Sequence, residues 1–242
     1  MIVSSQTPTA ATGISILYED SDLLAVDKPA GLVVHPAYKH PAGTLFDAAR
    51  DYLCRRGEPK PCLLHRLDKD TSGVVLLTKT EAARRCLVRQ FERRAIRKTY
   101  LALVCGRPNP PSGFINAPLR RDPADRLLVQ IDPAGAPACT KYLTIKTLGP
   151  RFSLLELHPI TGRMHQLRVH LATLDTPIVG DTNYADPTRW EPLTPARHLL
   201  HAQSLSFTHP STRESLRIIS PLPDDLQTLL ATDFITLIPS PC

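Results

Sequence analysis

Residues 65–78 read HRLDKDTSGVVLLT, and this stretch decides how the chain folds around its chemistry. The apolar, β-branched and leucine-rich run at 74–78 predicts a buried strand. The polar turn before it places Asp68, beside an imidazole and a guanidinium, at the edge of the core, where a carboxylate is costly unless it is paired or used. Two interpretations stay open on these residues alone: Asp68 or Asp70 caps the turn as an Asx residue, or Asp68 performs chemistry.

A second segment, residues 161–174, reads TGRMHQLRVHLATL and predicts a helix. Its apolar residues recur at helical spacing and define an inward face, made of Met164, Leu167, Leu171 and Leu174. The same spacing places three polar residues on the outward face: Arg163, Gln166 and His170. Arg168 lies within the apolar stripe, where a guanidinium that cannot lose its proton requires an anion or an exposed position. It is either a snorkelling arginine at the border of the stripe or the partner of a buried carboxylate, with Asp68 the leading candidate.

Composition limits the class of protein. The chain has 242 residues, 42% of them hydrophobic, and its 24 prolines favour many loops over a helical bundle. A chain of this length can bury one substantial core or two small lobes around a cleft. Lys and Arg total 29 against 23 Asp and Glu, and the net charge of +6 suits a polyanionic partner.

The cysteines and the amino terminus bear on the compartment. Six cysteines occur without Cys-x-x-Cys spacing, which predicts free thiols in a reducing environment. Residues 1–13 are polar, with no basic start and no apolar core, so we expect a flexible tail rather than a signal peptide. No apolar run approaches the roughly 20 residues of a membrane span. Together these features predict a cytoplasmic protein that does not associate with membranes.

Strand-like runs outnumber helix-like runs, and their connections look like hairpins, which predicts an α+β fold. Helices are predicted over residues 45–55, 81–95, 161–174 and 224–231. Strands are predicted over residues 14–18, 23–27, 74–78, 99–105, 141–147, 152–157, 198–207 and 216–219. The stretch 107–138, rich in Pro, Gly, Ala and Asp, predicts a long excursion that contains a hairpin.

The second predicted helix is strongly basic. Its outward face carries Arg84, Arg85, Arg89, Arg93 and Arg94, with Arg97 and Lys98 just beyond, and only two glutamates offset them. A charged helix face is ordinarily a solvated face. The excess of positive charge makes a surface for a polyanion an equal interpretation here.

Five segments, in this order, resemble the motifs of the RluA-type family of RNA pseudouridine synthases. The resemblance runs from about residue 14 to residue 225 and covers nearly the whole chain. The segments are LAVDKPAGL at 24–32, HRLD with TSG at 65–73, KTYLALV at 98–104, GRMHQLRVH with PIVGD at 162–181, and LHA with HP at 200–210.

This resemblance implies the family's fold, a mixed and largely antiparallel sheet in two halves that flank a basic active-site cleft. We expect one catalytic domain over residues 14–242, after the tail at 1–13. Only that short tail precedes the first motif, so an S4-like RNA-binding module, which many relatives have, is not expected. RNA affinity would then come from the cleft, the basic helix and the loops.

The resemblance also implies an activity, the isomerisation of specific uridines in structured RNA to pseudouridine. It assigns Asp68 as the carboxylate that acts as nucleophile or base. Arg168, as a neighbouring cation, would keep that buried carboxylate ionised. Tyr100 is expected to stack on the target base and to help remove its C5 proton, the alternative being an ordinary core tyrosine. No atoms enter or leave overall, so neither a cofactor nor a metal is implied.

RNA contacts are expected at His65, Arg66, Arg163, His165 and, from the basic helix, at Arg89 and Arg93; Arg163 and His165 would contact phosphates or position a loop. Arg66 would fill the stack that a flipped uridine vacates, or would instead contact a phosphate or form a surface ion pair. The expected partner is a stem-loop of ribosomal or transfer RNA, and the protein is expected to be a monomer. The sequence does not identify the RNA or the uridine, and we expect the loop 107–138 to make that choice.

Three other functions compete with this interpretation. A non-catalytic RNA-binding protein on the same fold would not need the acid, the tyrosine and the inward arginine together. A zinc hydrolase is motivated by His198 and His201, but no His-Glu-x-x-His motif or cysteine cluster supplies a third ligand. A serine hydrolase built on Ser72 lacks the Gly-x-Ser-x-Gly elbow.

Overall fold

The structure, a computed structural model, describes residues 14–36 and 40–231 together with two short strands near the amino terminus. It has the predicted α+β fold, with a sheet that is mixed and mostly antiparallel. None of the helices in the described part of the chain is long and apolar enough to cross a membrane. The five cysteines within the described ranges are free thiols, as predicted, and Cys242 lies outside those ranges.

The helices are α1 (Leu45–Cys54), α2 (Glu81–Glu92), α3 (Gln166–Thr173) and α4 (Asp224–Ala231), with a 3₁₀ turn at Pro187–Trp190. The strands are β1 (Ile2–Val3), β2 (Thr7–Pro8), β3 (Ser15–Glu19), β4 (Leu23–Lys28), β5 (Cys62–Leu63), β6 (Ser72–Thr78), β7 (Arg97–Cys105), β8 (Ser112–Asn116), β9 (Leu119–Arg121), β10 (Val129–Ile131), β11 (Cys139–Leu148), β12 (Phe152–Pro159), β13 (Leu200–Thr208) and β14 (Ser215–Ile219).

The chain divides into two compact units. The first unit comprises Met1–Lys98 and Ala202–Pro221, and the second comprises Thr99–His201 and Leu222–Cys242. This division agrees with the two halves expected from the motifs. The cleft between the halves, and a single catalytic domain over 14–242, stay predictions.

The first unit is built around the two apolar strands that the sequence predicts. Its strand order is β2-β3-β4-β6-β13, with β14 beside β13 and β5 beside β6. Strand β4 pairs antiparallel with β6, and every residue of β6 is buried. Leu23, Val74 and Leu76 form one core cluster with Leu87 of α2, so the strand that follows the Asp68 turn is fixed by burial on its faces.

Threonine caps start both helices of the first unit. Thr44 and Asp47 form a capping box at α1, and the Thr80 hydroxyl accepts the Ala83 N–H at α2. Helix α2 ends at Glu92, earlier than the predicted 95. Arg94 has a φ of +56°, in the left-handed region, and a residue there ends a helix.

The second unit contains a four-stranded antiparallel sheet in the order β7-β12-β11-β8. The hairpin predicted within 107–138 is present as the separate pair β9 and β10. Leu103, Phe152 and Trp190 belong to one core cluster of this unit, and Leu155 and Leu171 belong to a second cluster against which α3 packs. The sheet therefore supports α3 on one of its faces.

The predicted flexible tail at 1–13 falls mostly outside the described residues. Within it, β1 pairs in parallel with β14 and β2 pairs antiparallel with β3. The backbone of these two strands is therefore paired in the sheet rather than loose.

Gly73 should be among the least replaceable residues of the first unit. Its φ is +115°, and a Cβ there would lie 2.2 Å from the carbonyl oxygen of Ala202. Gly57 is a matched control, because its φ is +72° but a Cβ there meets open space. We expect Gly57→Ala to lower the free energy of unfolding by about 1–2 kcal/mol. Gly73→Ala should cost at least twice as much in urea denaturation. Equal losses would contradict the close approach of the two strands.

Candidate active site

Asp68 lies in the loop between β5 and β6 and is half-buried. The turn that carries it is closed by the Thr71 N–H, which donates to the Asp68 carbonyl at 3.2 Å. The neighbouring residues Leu67, Thr71 and Ser72 are buried. The loop is thus tied to the core on both sides of the acid.

A buried ammonium group holds this loop from behind. Lys28, at the end of β4, is fully buried, and its Nζ donates to the carbonyls of Pro29, Leu32 and Lys69 at 2.7–2.8 Å. The Lys69 carbonyl also accepts the Gly31 N–H at 3.0 Å. Because Lys69 directly follows Asp68, these bonds fix the backbone next to the acid.

His65 anchors the start of the loop. Its Nε2 accepts the Leu76 N–H at 3.0 Å, and its ring lies 5.7 Å from that of Phe91 in α2. The accepted bond leaves Nε2 without a proton, so the imidazole is neutral. Burial, with the charge of Lys98 as a further cause, lowers the pKa of His65 to about 4. His65 therefore positions the loop, and its predicted contact with RNA stays a prediction.

The other basic residues predicted in this unit face outward. Arg66 is exposed, as are Arg89 and Arg93 on α2. These positions suit contacts with a polyanion, although their contact with RNA stays a prediction.

In the second unit, the predicted helix 161–174 is shorter than its sequence pattern. Helix α3 begins at Gln166, because His165 has a φ of +51° and breaks the helical path. Gln166 and His170, which were predicted to face outward, are buried. The Gln166 amide donates to the Cys139 carbonyl at 2.9 Å, and the His170 ring bonds the Thr140 hydroxyl at 2.9 Å. Burial lowers the pKa of His170.

Arg168 faces inward, as predicted, and is buried. Its Nε and Nη2 donate to the two carboxylate oxygens of Asp181, each at 2.7 Å. From the sequence, Asp68 was the predicted partner, and Asp181 appeared only as the last residue of the PIVGD motif. The carboxylate on this edge of the guanidinium is that of Asp181, and a contact of Arg168 with Asp68 stays a prediction.

Tyr184 connects this ion pair to the hairpin of the long excursion. The Arg168 guanidinium lies 5.0 Å from the centre of the Tyr184 ring. The Tyr184 oxygen accepts the Val129 N–H of β10 at 3.0 Å and lies 2.6 Å from Nδ1 of His165. Since the oxygen already accepts the amide, its own proton is available for Nδ1. No role was predicted for this tyrosine from the sequence.

Two predicted residues of this unit remain, Arg163 and Tyr100. Arg163 is exposed, and its Nε donates to the Pro137 carbonyl at 3.2 Å. Tyr100 is half-buried on β7, opposite Leu157 of β12, and packs against the cluster that contains Leu167. It is neither a fully buried core tyrosine nor a surface one.

The structure thus brings together two groups of predicted residues, one in each unit. In the first unit His65 and Asp68 share an anchored loop, and in the second His165 and Arg168 meet at Tyr184. Three residues to which the sequence gave no predicted role hold these groups: Lys28, Asp181 and Tyr184. Asp181 could have been recognised as a partner from its position. It lies two residues after the apolar Ile178-Val179 pair and thirteen residues after the inward Arg168.

The competing hydrolases gain no support. Among the described residues, no group of three or more His, Cys, Asp or Glu is placed to hold a metal ion. His198 and His201 are both buried. Ser72 lies buried in β6 rather than on an exposed elbow.

A family model described as RNA pseudouridylate synthase matches residues 22–173, which include Asp68, Tyr100 and Arg168. The chain belongs to this family. Two solved human structures have the same fold: RNA Pseudouridylate Synthase Domain Containing 4, with a TM-score of 0.72 at 28% identity, and RNA Pseudouridylate Synthase Domain Containing 1, with a TM-score of 0.70 at 26% identity. The matches cover 89% and 98% of this chain, and 91% and 100% of those chains.

Curated bacterial relatives are closer in sequence. An uncharacterized RNA pseudouridine synthase of Chloroflexus aurantiacus is 48% identical over 207 residues, or 84% of this chain. The ribosomal large subunit pseudouridine synthase D of Xanthomonas campestris is 40% identical over 248 residues, or 96% of this chain. The matches cover 64% and 73% of those two proteins, so the chain spans about two thirds of their length.

The buried pair of Arg168 and Asp181 gives a stability prediction. Asp181→Asn keeps the shape but removes the negative charge that accepts two hydrogen bonds from the buried guanidinium, which should cost about 3–5 kcal/mol. Asp175→Asn is the matched control, because Asp175 pairs with Arg189 while its side chain is 86% exposed. That change should cost less than about 1 kcal/mol. Chemical denaturation of both variants measures the difference, and a mild Asp181→Asn would contradict the buried pairing.

The neutral His65 predicts how stability depends on pH. The unfolded chain takes up a proton there below about pH 6.5, and the folded chain only near pH 4, so this group's contribution is complete above 6.5 and lost as the pH falls towards 4. His65→Gln offers Leu76 an acceptor that does not titrate. Between pH 7 and 4.5 the wild type should lose about 2–3 kcal/mol more unfolding free energy than this variant.

Urea midpoints at each pH give the comparison, and the exposed His35→Gln variant shows what the loss of a surface histidine does. Parallel curves for the wild type and His65→Gln would show that the ring is not held neutral.

Proposed function

We propose that this chain isomerises uridine to pseudouridine in structured RNA, with Asp68 as the reacting carboxylate. Support comes from one observation above others: the acid lies on a loop fixed by the Lys28 ammonium, the His65 ring and buried residues on both sides. A reacting group must be held in place before its substrate arrives, and this anchoring does that.

The reaction balances without any added reagent. The bond from N1 to C1′ of the ribose breaks, the uracil turns, and a bond from C5 to C1′ forms. The proton of C5 is lost and N1 gains one, so no electrons or atoms are exchanged overall. What is required is a carboxylate that acts as nucleophile or base at the nucleoside, and this role falls to Asp68. The proposal includes no cofactor and no metal.

Two residues of the second unit complete the proposed chemistry. Asp181 holds one edge of the Arg168 guanidinium, and we assign the other edge to the Asp68 carboxylate, which a cation keeps ionised. Tyr100 stacks on the extruded base and helps remove the C5 proton. Its half-buried position on β7 suits a ring with one apolar and one polar end.

The proposed substrate is ribosomal or transfer RNA. The name of the Xanthomonas relative supports the large ribosomal subunit. Extruding a paired or stacked uridine costs a few kcal/mol, and Arg66, exposed beside the acid, would occupy the vacated stack. Arg163 and His165 would contact RNA from the second unit. The proposal further takes the protein to act as a cytoplasmic monomer.

The alternative is a protein of this family that binds RNA without reacting. It would have no use for a fixed acid, and mutation of the acid separates the two functions because binding and turnover are measured independently.

Asp68→Asn should lower turnover on the order of 10⁴-fold or more, since the amide is neither a nucleophile nor a base. Tritium release from RNA labelled at C5 of uridine measures turnover, and fluorescence anisotropy measures RNA affinity, which should stay within a few-fold of wild type. Asp70→Asn is the matched control, because it removes the same charge two residues away in the same loop. It should retain turnover.

Release at the wild-type rate by Asp68→Asn would rule out the assignment. Loss of turnover in both loop variants would point to the charge of the loop rather than to one reacting acid.

A further inference from the structure

A groove of about 500 Å³ lies in the first unit between α2 and the hairpin that joins β13 to β14. Three arginines line it from the helix, Arg85, Arg89 and Arg93, and Arg213 lines it from the hairpin. Thr208 and Ser211 add hydroxyl groups. The groove therefore has a cationic wall on each side.

The helix arginines follow one another at intervals of four residues, which places them about 6 Å apart along the axis. Such a row of like charges destabilises a helix unless something offsets it. Within the described part of the chain, no carboxylate lies within 4 Å of Arg89 or Arg93. Glu81 bonds Arg84 at 2.7 Å and approaches Arg85 only to 3.8 Å.

The helix dipole accounts for part of this row. Arg89 and Arg93 lie at the carboxyl end of α2, where positive charge is favourable. The dipole does not account for Arg85, which is a full turn earlier, or for Arg213, which belongs to another element. The convergence of both cationic walls on one groove favours a ligand of opposite charge.

The groove is rigid before anything binds. The Gln90 side chain bonds the backbone of Thr208 twice, donating to its carbonyl at 2.7 Å and accepting its N–H at 3.0 Å. His209 accepts the Ser211 N–H at 3.3 Å, and its other nitrogen lies 2.7 Å from the Asp20 carboxylate. The Gln90 bonds join the hairpin to the helix, and the His209 bonds hold the hairpin itself to Asp20, so both walls of the groove are fixed.

We infer that this groove binds the phosphodiester backbone of the RNA that flanks the modified uridine. Guanidinium groups pair with phosphate oxygens through two parallel hydrogen bonds, and their spacing along α2 suits successive phosphates of one strand. The contact supplies affinity without sequence preference, away from the reacting base. That the polyanion is RNA rests on the proposed function; the groove itself rests on the residues described.

The test uses an RNA duplex made only of G·C pairs, which contains no uridine to react. Its affinity for the full chain is measured by fluorescence anisotropy over a range of salt concentrations. Replacing Arg89 and Arg213 together by glutamine should weaken binding about tenfold at low salt and reduce the slope of log K against log salt by about 1.5–2. Arg85→Gln with Arg93→Gln should reproduce this on independent residues, whether or not the first pair folds.

The matched control replaces Arg50 and Arg84 by glutamine, which removes the same charge from residues already paired with carboxylates. It should keep at least the greater part of the wild-type slope. If the control and the groove variants lost duplex affinity and salt slope equally, the net charge of the protein would explain the binding. That result would overturn the inference. Unchanged duplex binding by the groove variants would also overturn the inference. The same holds if these variants lose binding to phosphatidylserine vesicles but bind the duplex as the wild type does.

Because the duplex is not a substrate, failure of the groove is distinguishable from failure of the proposed function. Asp68→Asn should bind it as the wild type does. If the wild-type protein were inactive but its salt dependence of duplex binding still depended on the groove arginines, the proposed activity would be wrong and the groove inference would hold.

Discussion

The buried ammonium of Lys28 is the contact on which the first unit's part of the site depends. A lysine has three donors, and here each finds a backbone carbonyl, two in the turn that follows β4 and one beside Asp68. Hydrogen bonds from a charged group contribute more to stability than those between neutral groups, and the difference is larger in buried positions. One side chain thereby joins the end of a core strand to the loop that carries the acid, and the loop inherits the rigidity of the sheet.

The second unit uses the same device with different chemistry. The Arg168 guanidinium is held by both oxygens of Asp181 on one edge and by the face of Tyr184. Buried ion pairs contribute little net stability, because desolvation offsets their attraction. Their effect is positional. In both units a charge that cannot reach water is surrounded by fixed partners, so its place is set before any ligand binds.

Features that follow from burial could be predicted from the sequence, whereas contacts between residues far apart in the sequence could not. Strand β6 follows from its apolar run, and an inward Arg168 follows from the stripe around it. Gln166 and His170 were assigned to the surface because they are polar, yet partners about 25–30 residues away, Cys139 and Thr140, satisfy them in the interior. No periodicity reveals such partners. The same limit explains why Asp181 was not recognised as a partner of Arg168: a pattern shows that an arginine needs an anion but not which one.

The way in which the β9–β10 hairpin is attached to the cluster of Arg168, Asp181 and Tyr184 has a consequence for sequence variation. The Tyr184 oxygen of this cluster reaches the hairpin through a main-chain amide, because it accepts the Val129 N–H. Any residue except proline presents the same amide. The exposed side chains of the hairpin, such as Arg126 and Leu127, do not take part in this hydrogen bond. They can therefore be substituted while the main-chain bond to Tyr184, beside Arg168 and Asp181, is kept.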